Sequence, residues 1–170
     1  MSERPDLGLV RVRLAVRTDA EAIRQIYNHE VENTTATMDL VPRTLADQEE
    51  WLAARSGAFA AIVAELNGEV VGFASLSPYK ERAAYRPTVE DSVYVRRDMG
   101  RRGIGRLLLV ELLDRAAGSG FHSVMARIEA GGEGSRALHV ACGFREVGIE
   151  REVGRKFNRW LDVVLMQRML

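Results

Sequence analysis

Residues 93–109 read Val93-Tyr94-Val95-Arg96-Arg97-Asp98-Met99-Gly100-Arg101-Arg102-Gly103-Ile104-Gly105-Arg106-Leu107-Leu108-Leu109. The β-branched and aromatic start predicts a strand, and the leucine-rich end predicts a helix. The turn between them is typical of an anion site, because glycines let a ligand approach the backbone and a helix N-terminus offers free N–H groups. Arg101, Arg102 and Arg106 add charge and forked donors. An ordinary loop with solvated basic residues is the alternative, but this density of glycine and arginine favours a phosphate site.

The spacing of Gly100, Gly103 and Gly105 excludes two familiar phosphate loops. A dinucleotide fingerprint has the order G-x-G-x-x-G near the start of a βαβ unit, whereas the spacing here is reversed and lies past the middle of the chain. A nucleoside-triphosphate loop needs Gly-Lys followed by Ser or Thr, which this turn lacks.

The turn instead resembles the acyl-coenzyme A loop of the GNAT N-acetyltransferase superfamily. That loop reads Gln or Arg, two residues, Gly, one residue, and Gly or Ala, and Gly103 and Gly105 match its glycines. Gly100 stands where Gln or Arg is usual. The resemblance implies acetyl-CoA as co-substrate, with its pyrophosphate bound by backbone N–H groups. The departure at Gly100 therefore removes one side chain that could contact the cofactor, but it leaves the backbone N–H groups of the loop in place.

Further segments resemble one branch of that superfamily, the phosphinothricin and methionine-sulfone N-acetyltransferases, also described as L-amino acid N-acyltransferases. The matching segments are 26–28, 33–36, 85–95, His139, 143–144 and 154–162. The Thr-Val-Glu-x-Ser-Val-Tyr-Val and Lys-Phe-x-Arg-Trp-Leu-Asp runs are the specific ones. The branch implies a small amino-acid analogue as acceptor and a homodimer as the assembly. Gly132 departs from the branch, because an Asn that contacts the cofactor is frequent there.

Composition narrows the class of protein. The chain has 170 residues, 24 basic and 24 acidic side chains, and one cysteine, Cys142. A single domain over residues 1–170 fits this length, and a general nucleic-acid binder would carry a basic excess. Residues 1–9 have no apolar core of signal-peptide length, no run suggests a membrane span, and no His, Cys and carboxylate spacing suggests a metal. We therefore expect a cytoplasmic protein without a metal, a nucleic-acid partner or a membrane partner.

The elements are predicted in the order βααβββαβαββ. The predicted strands are 10–16, 60–66, 70–77, 92–95, 123–129, 144–153 and 157–169, and the predicted helices are 19–30, 44–55, 104–117 and 135–142. Thr18 with Glu21 suggests a capping box, Thr44 a second helix cap, and Asn67-Gly68 a hairpin. This order predicts an α/β (α+β) fold, with a mixed, mostly antiparallel sheet of about seven strands and about four flanking helices, and it matches the GNAT fold.

The chemistry of acyl transfer to an amine requires a neutral amine close to the thioester. The ordinary pKa of an α-amino group is roughly 8, so a nearby general base would supply the free amine. Glu90 resembles the proposed catalytic glutamate of the family, and apolar surroundings would raise its pKa. A solvated carboxylate at a loop end is the alternative. The implied mechanism is direct attack within a ternary complex.

The resemblance also implies which residues bind the cofactor. The backbone from Val93 to Val95 is expected to pair with the pantetheine arm, because the sheet of this fold splays there and leaves amides unpaired. The implied cofactor residues are Val93, Tyr94, Val95, Arg101, Arg102, Gly103, Ile104, Gly105, Arg106, Gly132 and Gly143.

Candidate acceptor-binding residues lie mainly before this strand. An arginine there would bind a substrate carboxylate through two hydrogen bonds, although solvated surface charge explains each cation equally well. The candidates are Lys80, Arg82, Arg86, Glu90, Asp91, Ser92 and Thr35. His139 is a candidate proton donor to the leaving thiolate, with a packed histidine as the alternative. Cys142 is better explained as a small buried hydrophobic residue than as a nucleophile.

Two other functions stay open at this stage. A protein acetyltransferase acting on N-termini or lysines would use an open groove instead of a cationic pocket. A non-catalytic acyl-CoA-binding module would bind the cofactor without releasing CoA, and the presence of Glu90 argues against it.

Overall fold

One seven-stranded sheet runs through residues 9–170, the part of the chain that the computed structural model describes. The strands are β1 Val10–Leu14, β2 Ala61–Leu66, β3 Glu69–Pro78, β4 Thr88–Val95, β5 Ser123–Glu129, β6 Arg145–Lys156 and β7 Arg159–Met169. The helices are α1 Ala20–Asn33, α2 Leu45–Ala53, α3 Ile104–Gly118 and α4 Glu133–Ala141. The sheet order is β1-β2-β3-β4-β5-β7-β6, in which β4 and β5 form the parallel pair. The predicted fold class and element order are confirmed.

The N-terminal caps of α1 and α2 can be compared with those predicted. The Thr44 hydroxyl accepts a hydrogen bond from the Asp47 backbone N–H at 3.1 Å, as predicted. The predicted capping box of Thr18 and Glu21 is wrong. Asp19 fills the place instead, because its carboxylate accepts from the Val16 N–H at 2.8 Å and from the Arg13 guanidinium at 2.7 and 3.0 Å.

Two strands, β4 and β6, extend well beyond one of their predicted ends. β4 begins at Thr88 and not at residue 92, because residues 88–90 pair with β5 and residues 89–95 pair with β3. β6 continues to Lys156, because its last residues pair with the start of β7 after a bulge between Glu150 and Gly154. The prediction for residues 1–9 lies, apart from Leu9, outside the described part of the chain.

Each face of the sheet packs against two helices. Side chains of β4 alternate between these faces, as the two-residue period of a strand requires. Val93 and Val95 pack into the larger core, beneath α3, whereas Tyr94 packs into the smaller core with α1 and α2. By the same alternation, Glu90 and Ser92 lie on the α1/α2 face.

The feature that positions the site is a divergence between β4 and β5. These strands pair only at Thr88↔Ser123, Val89↔Val124 and Glu90↔Met125. Beyond that point β4 stays paired with β3 as far as Val95, and β5 stays paired with β7 as far as Glu129. A wedge-shaped opening therefore begins at Glu90 and widens toward the glycine-rich turn.

None of the helices described here is both long enough and apolar enough to cross a membrane.

We expect α3 to stabilise the fold mainly through its buried leucines. Leu112 is fully buried, so Leu112→Ala should lower the free energy of unfolding by about 2–5 kcal/mol. Leu107 lies on the same helix and is 39% exposed, so Leu107→Ala should cost about 0.5 kcal/mol or less. Urea denaturation monitored by circular dichroism checks both values, and equal losses would contradict this assignment of the core.

Candidate active site

The backbone of β4 faces the opening with free hydrogen-bonding groups. The Arg96 N–H donates to the Val71 carbonyl oxygen at 2.8 Å, toward β3. Because successive residues of a strand direct these groups to opposite sides, the N–H and C=O groups of Val93 and Val95 point away from β3 and into the opening. Val93 and Val95 thus offer the groups that the predicted pairing with a pantetheine arm would use, whereas the backbone groups of Tyr94 face β3.

The glycine-rich turn lies between β4 and the start of α3. Arg101 and Gly103 have positive φ angles of 61° and 80°, and Gly103 is the residue that precedes the first turn of α3. No side chain caps this helix, so its first N–H groups are available to a ligand. The predicted anion site therefore has the backbone geometry that it needs.

Side chains around the turn divide into exposed cations and packed residues. Arg101 and Arg106 are exposed, Arg102 is partly exposed, and Ile104 is buried. A Cβ atom added at Gly105 would lie 3.1 Å from a methyl group of Leu138 on α4. Gly105 thus permits close packing of α3 on α4, in addition to any contact with a ligand.

The segment before α4 closes the far side of the opening. The Glu129 carboxylate accepts hydrogen bonds from the Gly131 N–H at 2.9 Å and the Thr35 hydroxyl at 3.1 Å. A Cβ at Gly132 would lie 3.0 Å from the Glu129 carbonyl oxygen, so this tight turn favours glycine where the branch often has Asn. Gly143, with φ 86°, follows the end of α4. A left-handed residue is usual there, so the presence of glycine at this position is explained without any contact to a ligand.

Glu90 lies at the closed end of the opening, at the last paired position of β4 and β5. Burial raises the pKa of the Glu90 carboxyl above its ordinary value. The Arg127 guanidinium opposes this shift, and the negative charges of Asp91 and Glu150 add to it. A carboxylate with a raised pKa accepts a proton more readily, which suits a general base.

Asp91 and His139 contact each other, which the sequence analysis did not predict. Their side chains are buried against each other on the α3/α4 face, with His139 Nε2 2.7 Å from Asp91 Oδ2. His139 Nδ1 donates to the Ser135 carbonyl oxygen at 2.8 Å. Both ring nitrogens are therefore engaged, which favours the packed histidine over the predicted proton donor. The Asp91 side chain lies on the face opposite Glu90 and is buried against His139, so a contact of Asp91 with the acceptor stays a prediction.

The buried pair also sets the charge state of the imidazole. Burial alone would lower the pKa of His139, but its hydrogen bond and attraction to the Asp91 carboxylate, with the bond to Ser135, raise it overall. Nearby, burial raises the pKa of the Cys142 thiol, which disfavours the nucleophilic thiolate.

The predicted acceptor-binding cations lie in the loop between β3 and β4. Lys80, Arg82 and Arg86 are exposed, and the Lys80 ammonium lies over the rings of Tyr79 and Tyr85 at 4.9 and 5.1 Å. The structure therefore places all three cations in solvent. By contrast, Ser92 and Thr35 are partly buried.

Two residues near the site had no role in the sequence analysis. Arg127 on β5 forms an ion pair with Glu150 at 2.6 Å and affects the charge of Glu90. Lys156 is buried and donates to the Thr37 carbonyl oxygen at 2.9 Å, which fixes the loop between α1 and α2. Lys156 lies in the matched run at residues 154–162, which is the signal that could have drawn attention to it.

A family model described as an acetyltransferase (GNAT) domain matches residues 12–165 of the chain. The chain belongs to the GNAT acetyltransferase family. The phosphinothricin N-acetyltransferase of Streptomyces coelicolor is 39% identical to this GNAT protein, over 98% of this chain and 99% of its own. The L-methionine sulfoximine/L-methionine sulfone acetyltransferase of Pseudomonas aeruginosa is 40% identical, over 92% of each chain.

Solved structures of other GNAT proteins share the fold. A phosphinothricin acetyltransferase from Sinorhizobium meliloti in complex with acetyl-CoA has a TM-score of 0.91 and 36% identity, covering 95% of this chain and 89% of that chain. A protein from Brucella melitensis named ribosomal-protein-alanine N-acetyltransferase has a TM-score of 0.92 and 42% identity, covering 94% of this chain and 99% of that chain. The predicted family, fold and enzyme class, an acyltransferase, are confirmed.

We expect the left-handed conformation at Gly103 to be required for GNAT cofactor binding. An L-residue costs about 1–2 kcal/mol there, so Gly103→Ala should weaken acetyl-CoA binding about tenfold by distorting the turn. Gly100 has φ −62°, which suits any L-residue, and Gly100→Ala is the matched control. Isothermal titration calorimetry measures both affinities, and an equal effect of the two variants would argue against the turn as the binding site.

We expect the Asp91–His139 pair to stabilise the fold in a pH-dependent way. The pKa of His139 is higher in the folded protein than in the unfolded chain, where it is about 6.5. Protonation of His139 therefore stabilises the fold fully below about pH 6.5, and this stabilisation is lost as the pH rises through the pKa of the folded state. His139→Gln should therefore cost about 3–5 kcal/mol at about pH 6, and less at alkaline pH. Urea denaturation across this range, with exposed His122→Gln as the control, measures the difference; a pH-independent loss contradicts the assignment.

Proposed function

We propose that this GNAT enzyme transfers an acetyl group from acetyl-CoA to the amino group of a small amino acid or analogue. Phosphinothricin, methionine sulfone and methionine sulfoximine are the proposed type of acceptor. The observation that carries the proposal is the position of Glu90, half-buried at the closed end of the β4–β5 opening. The names of the curated relatives support this class of acceptor.

The residues of the opening fit acetyl-CoA. The free amide groups of Val93 and Val95 match the two amides of a pantetheine arm, and the uncapped start of α3 matches a pyrophosphate. Arg101, Arg102 and Arg106 are placed to add charge near that anion. When bound, acetyl-CoA supplies a thioester carbonyl as the acetyl donor.

The chain's part in the reaction is to orient the two substrates and to remove a proton. The acceptor arrives as an ammonium ion, and Glu90 takes its proton, directly or through one water molecule, to release the nucleophilic amine. The Val93 and Val95 N–H groups hold the donor in the opening, so the amine attacks the thioester carbonyl carbon within the ternary complex. The N–C bond forms, the C–S bond breaks, and the second amine proton passes through solvent to the leaving thiolate of CoA. Cys142 has no role in this direct transfer.

A protein acetyltransferase is the second candidate function. The name of the Brucella melitensis protein favours it, since that name specifies a ribosomal-protein alanine. L-methionine sulfone and a peptide with an N-terminal alanine can be compared as competing acceptors in an assay that measures the release of CoA thiol. The preferred acceptor distinguishes the two functions. A non-catalytic acyl-CoA-binding module would release no CoA with either amine.

We also propose a single domain over residues 1–170, a homodimer and a cytoplasmic location. Exposed apolar side chains on the hairpin of β6 and β7 support the homodimer, since they suit contact with a second copy. They are Val147, Ile149, Val153, Phe157 and Trp160. The lone Cys142 fits a reducing compartment. Within residues 9–170 no group of His, Cys, Asp and Glu side chains is placed to hold a metal ion.

Glu90→Gln tests the proposed base. Because the base acts in its deprotonated form and burial raises its pKa, kcat/KM of the wild type should fall with decreasing pH, with a midpoint above the ordinary glutamate value of about 4.3. The variant should lose that acidic limb and about 100-fold or more in kcat, while acetyl-CoA affinity stays unchanged. Glu111→Gln on α3 is the control, and wild-type turnover by Glu90→Gln at neutral pH would remove Glu90 from the mechanism.

A further inference from the structure

The glycine-rich turn between β4 and α3 has two halves that differ in their hydrogen bonding. In the first half, residues 96–100, the N–H groups of Arg96, Met99 and Gly100 donate to backbone carbonyl oxygens at distances between 2.8 and 3.3 Å. In the second half, residues 101–103, no backbone N–H group has a partner within the described part of the chain. The second half is therefore free for an anion, and the first half is the part that the protein itself holds in place.

A cavity lies between the first half of the turn and α1. Its volume is about 330 Å³, and it is lined by the apolar Ile26 on α1 and Val70 on β3 and by the charged Glu30 and Arg97. The cavity interrupts the close packing of side chains that holds most of a protein interior together. The contact that joins the turn to α1 at this place is polar instead.

Glu30 and Arg97 make this contact as a two-pronged ion pair. Arg97 donates through Nε to Glu30 Oε1 at 2.7 Å and through Nη2 to Glu30 Oε2 at 2.5 Å. The Glu30 side chain is only 4% exposed, and its Oε2 also accepts the Thr34 hydroxyl at 2.7 Å. Such a fork fixes direction as well as distance, because two parallel N–H groups must meet two carboxylate oxygens.

The Glu30 carboxyl is ionised at neutral pH, as the fork requires. Burial alone would raise the pKa of Glu30, but its hydrogen bonds to Arg97 and Thr34 and the attraction of the Arg97 charge lower that pKa overall. A buried charge of this kind is stable only while its partner is present. The position of Arg97, and with it the start of the turn, therefore depends on Glu30.

The arginines of the turn and of the start of α3 divide by their partners. Arg96 pairs with Asp98 inside the turn, and Arg97 pairs with Glu30 on α1. Three arginines form no ion pair with an acidic side chain within residues 9–170, namely Arg101, Arg102 and Arg106. These three are available to an anion, whereas Arg97 already has its carboxylate.

We propose that Glu30 is a positioning residue for acetyl-CoA, because it holds Arg97 and thereby fixes the start of the turn. The free N–H groups of residues 101–103 and of the first turn of α3 are then aligned for the pyrophosphate. This inference rests on the proposed cofactor site and deepens it, because it assigns the contact from the α1/α2 face that orients that site.

A comparison of two acetyl donors tests the inference. S-acetylpantetheine has the thioester and the amides of acetyl-CoA but no pyrophosphate, so its binding does not use the turn. We would measure the Kd of both compounds by isothermal titration calorimetry, with displacement titration for the weaker one, for wild type, Glu30→Gln and Arg97→Gln. Each variant should bind acetyl-CoA about tenfold more weakly and S-acetylpantetheine as tightly as the wild type does. Either variant provides the test by itself if the other does not fold.

Asp19→Asn is the matched control. Asp19 lies at the other end of α1, its side chain is 7% exposed, and it accepts a fork from Arg13 at 2.7 and 3.0 Å. This variant removes the same kind of buried carboxylate, so it should lower the free energy of unfolding and leave the Kd of acetyl-CoA unchanged. A loss of acetyl-CoA affinity equal to that of Glu30→Gln would make the effect one of general stability and overturn the inference.

A double-mutant cycle shows whether Glu30 and Arg97 act as a unit. The variant that combines Glu30→Gln with Arg97→Gln should bind acetyl-CoA no more weakly than either single variant. Unchanged or tighter binding of acetyl-CoA by Glu30→Gln overturns the inference, because the carboxylate would then not hold Arg97 for this purpose. Equal losses for the two donors overturn it as well. Equal wild-type affinity for the two donors would contradict the proposed cofactor site, and the inference with it.

Discussion

The separation of β4 from β5 after Glu90 is the constraint on which the site depends. Parallel strands normally continue their ladder, and a strand edge that leaves it early carries polar groups that need partners. Beyond Glu90, the edge of β4 lacks the hydrogen bonds that a neighbouring strand would make. The pantetheine amides are the proposed partners in place of that strand. The same separation brings the start of α3 to the wide end of the opening and Glu90 to the narrow end. One local change in pairing thus defines the direction in which the donor must lie.

Most of the architecture could be predicted because its signals are local. The leucine-rich α3, the Asn67-Gly68 hairpin and the Thr44 cap all depend on residues close in sequence, and each was found where expected. The cap of α1 failed because Asp19 is paired with Arg13 on β1, a contact that sequence spacing does not reveal. The extent of β4 was underestimated for a related reason, since residues 88–90 pair with β5, which lies beyond α3 in the chain.

The candidate site was harder to predict, because side chains that are adjacent in sequence serve opposite faces. Glu90 and Asp91 were both assigned to the acceptor, but the two-residue period of a strand places them on different sides of the sheet. Asp91 then meets His139 from α4, and the pair joins that helix to the strand beneath it.

The electrostatics around Glu90 give a physical reason for binding an ammonium ion on the α1/α2 face. Burial raises the pKa of Glu90, Arg127 moderates that shift, and the Arg127 charge is itself compensated by Glu150. An ammonium ion beside Glu90 would offset the remaining negative charge, which fits an amine as the acceptor.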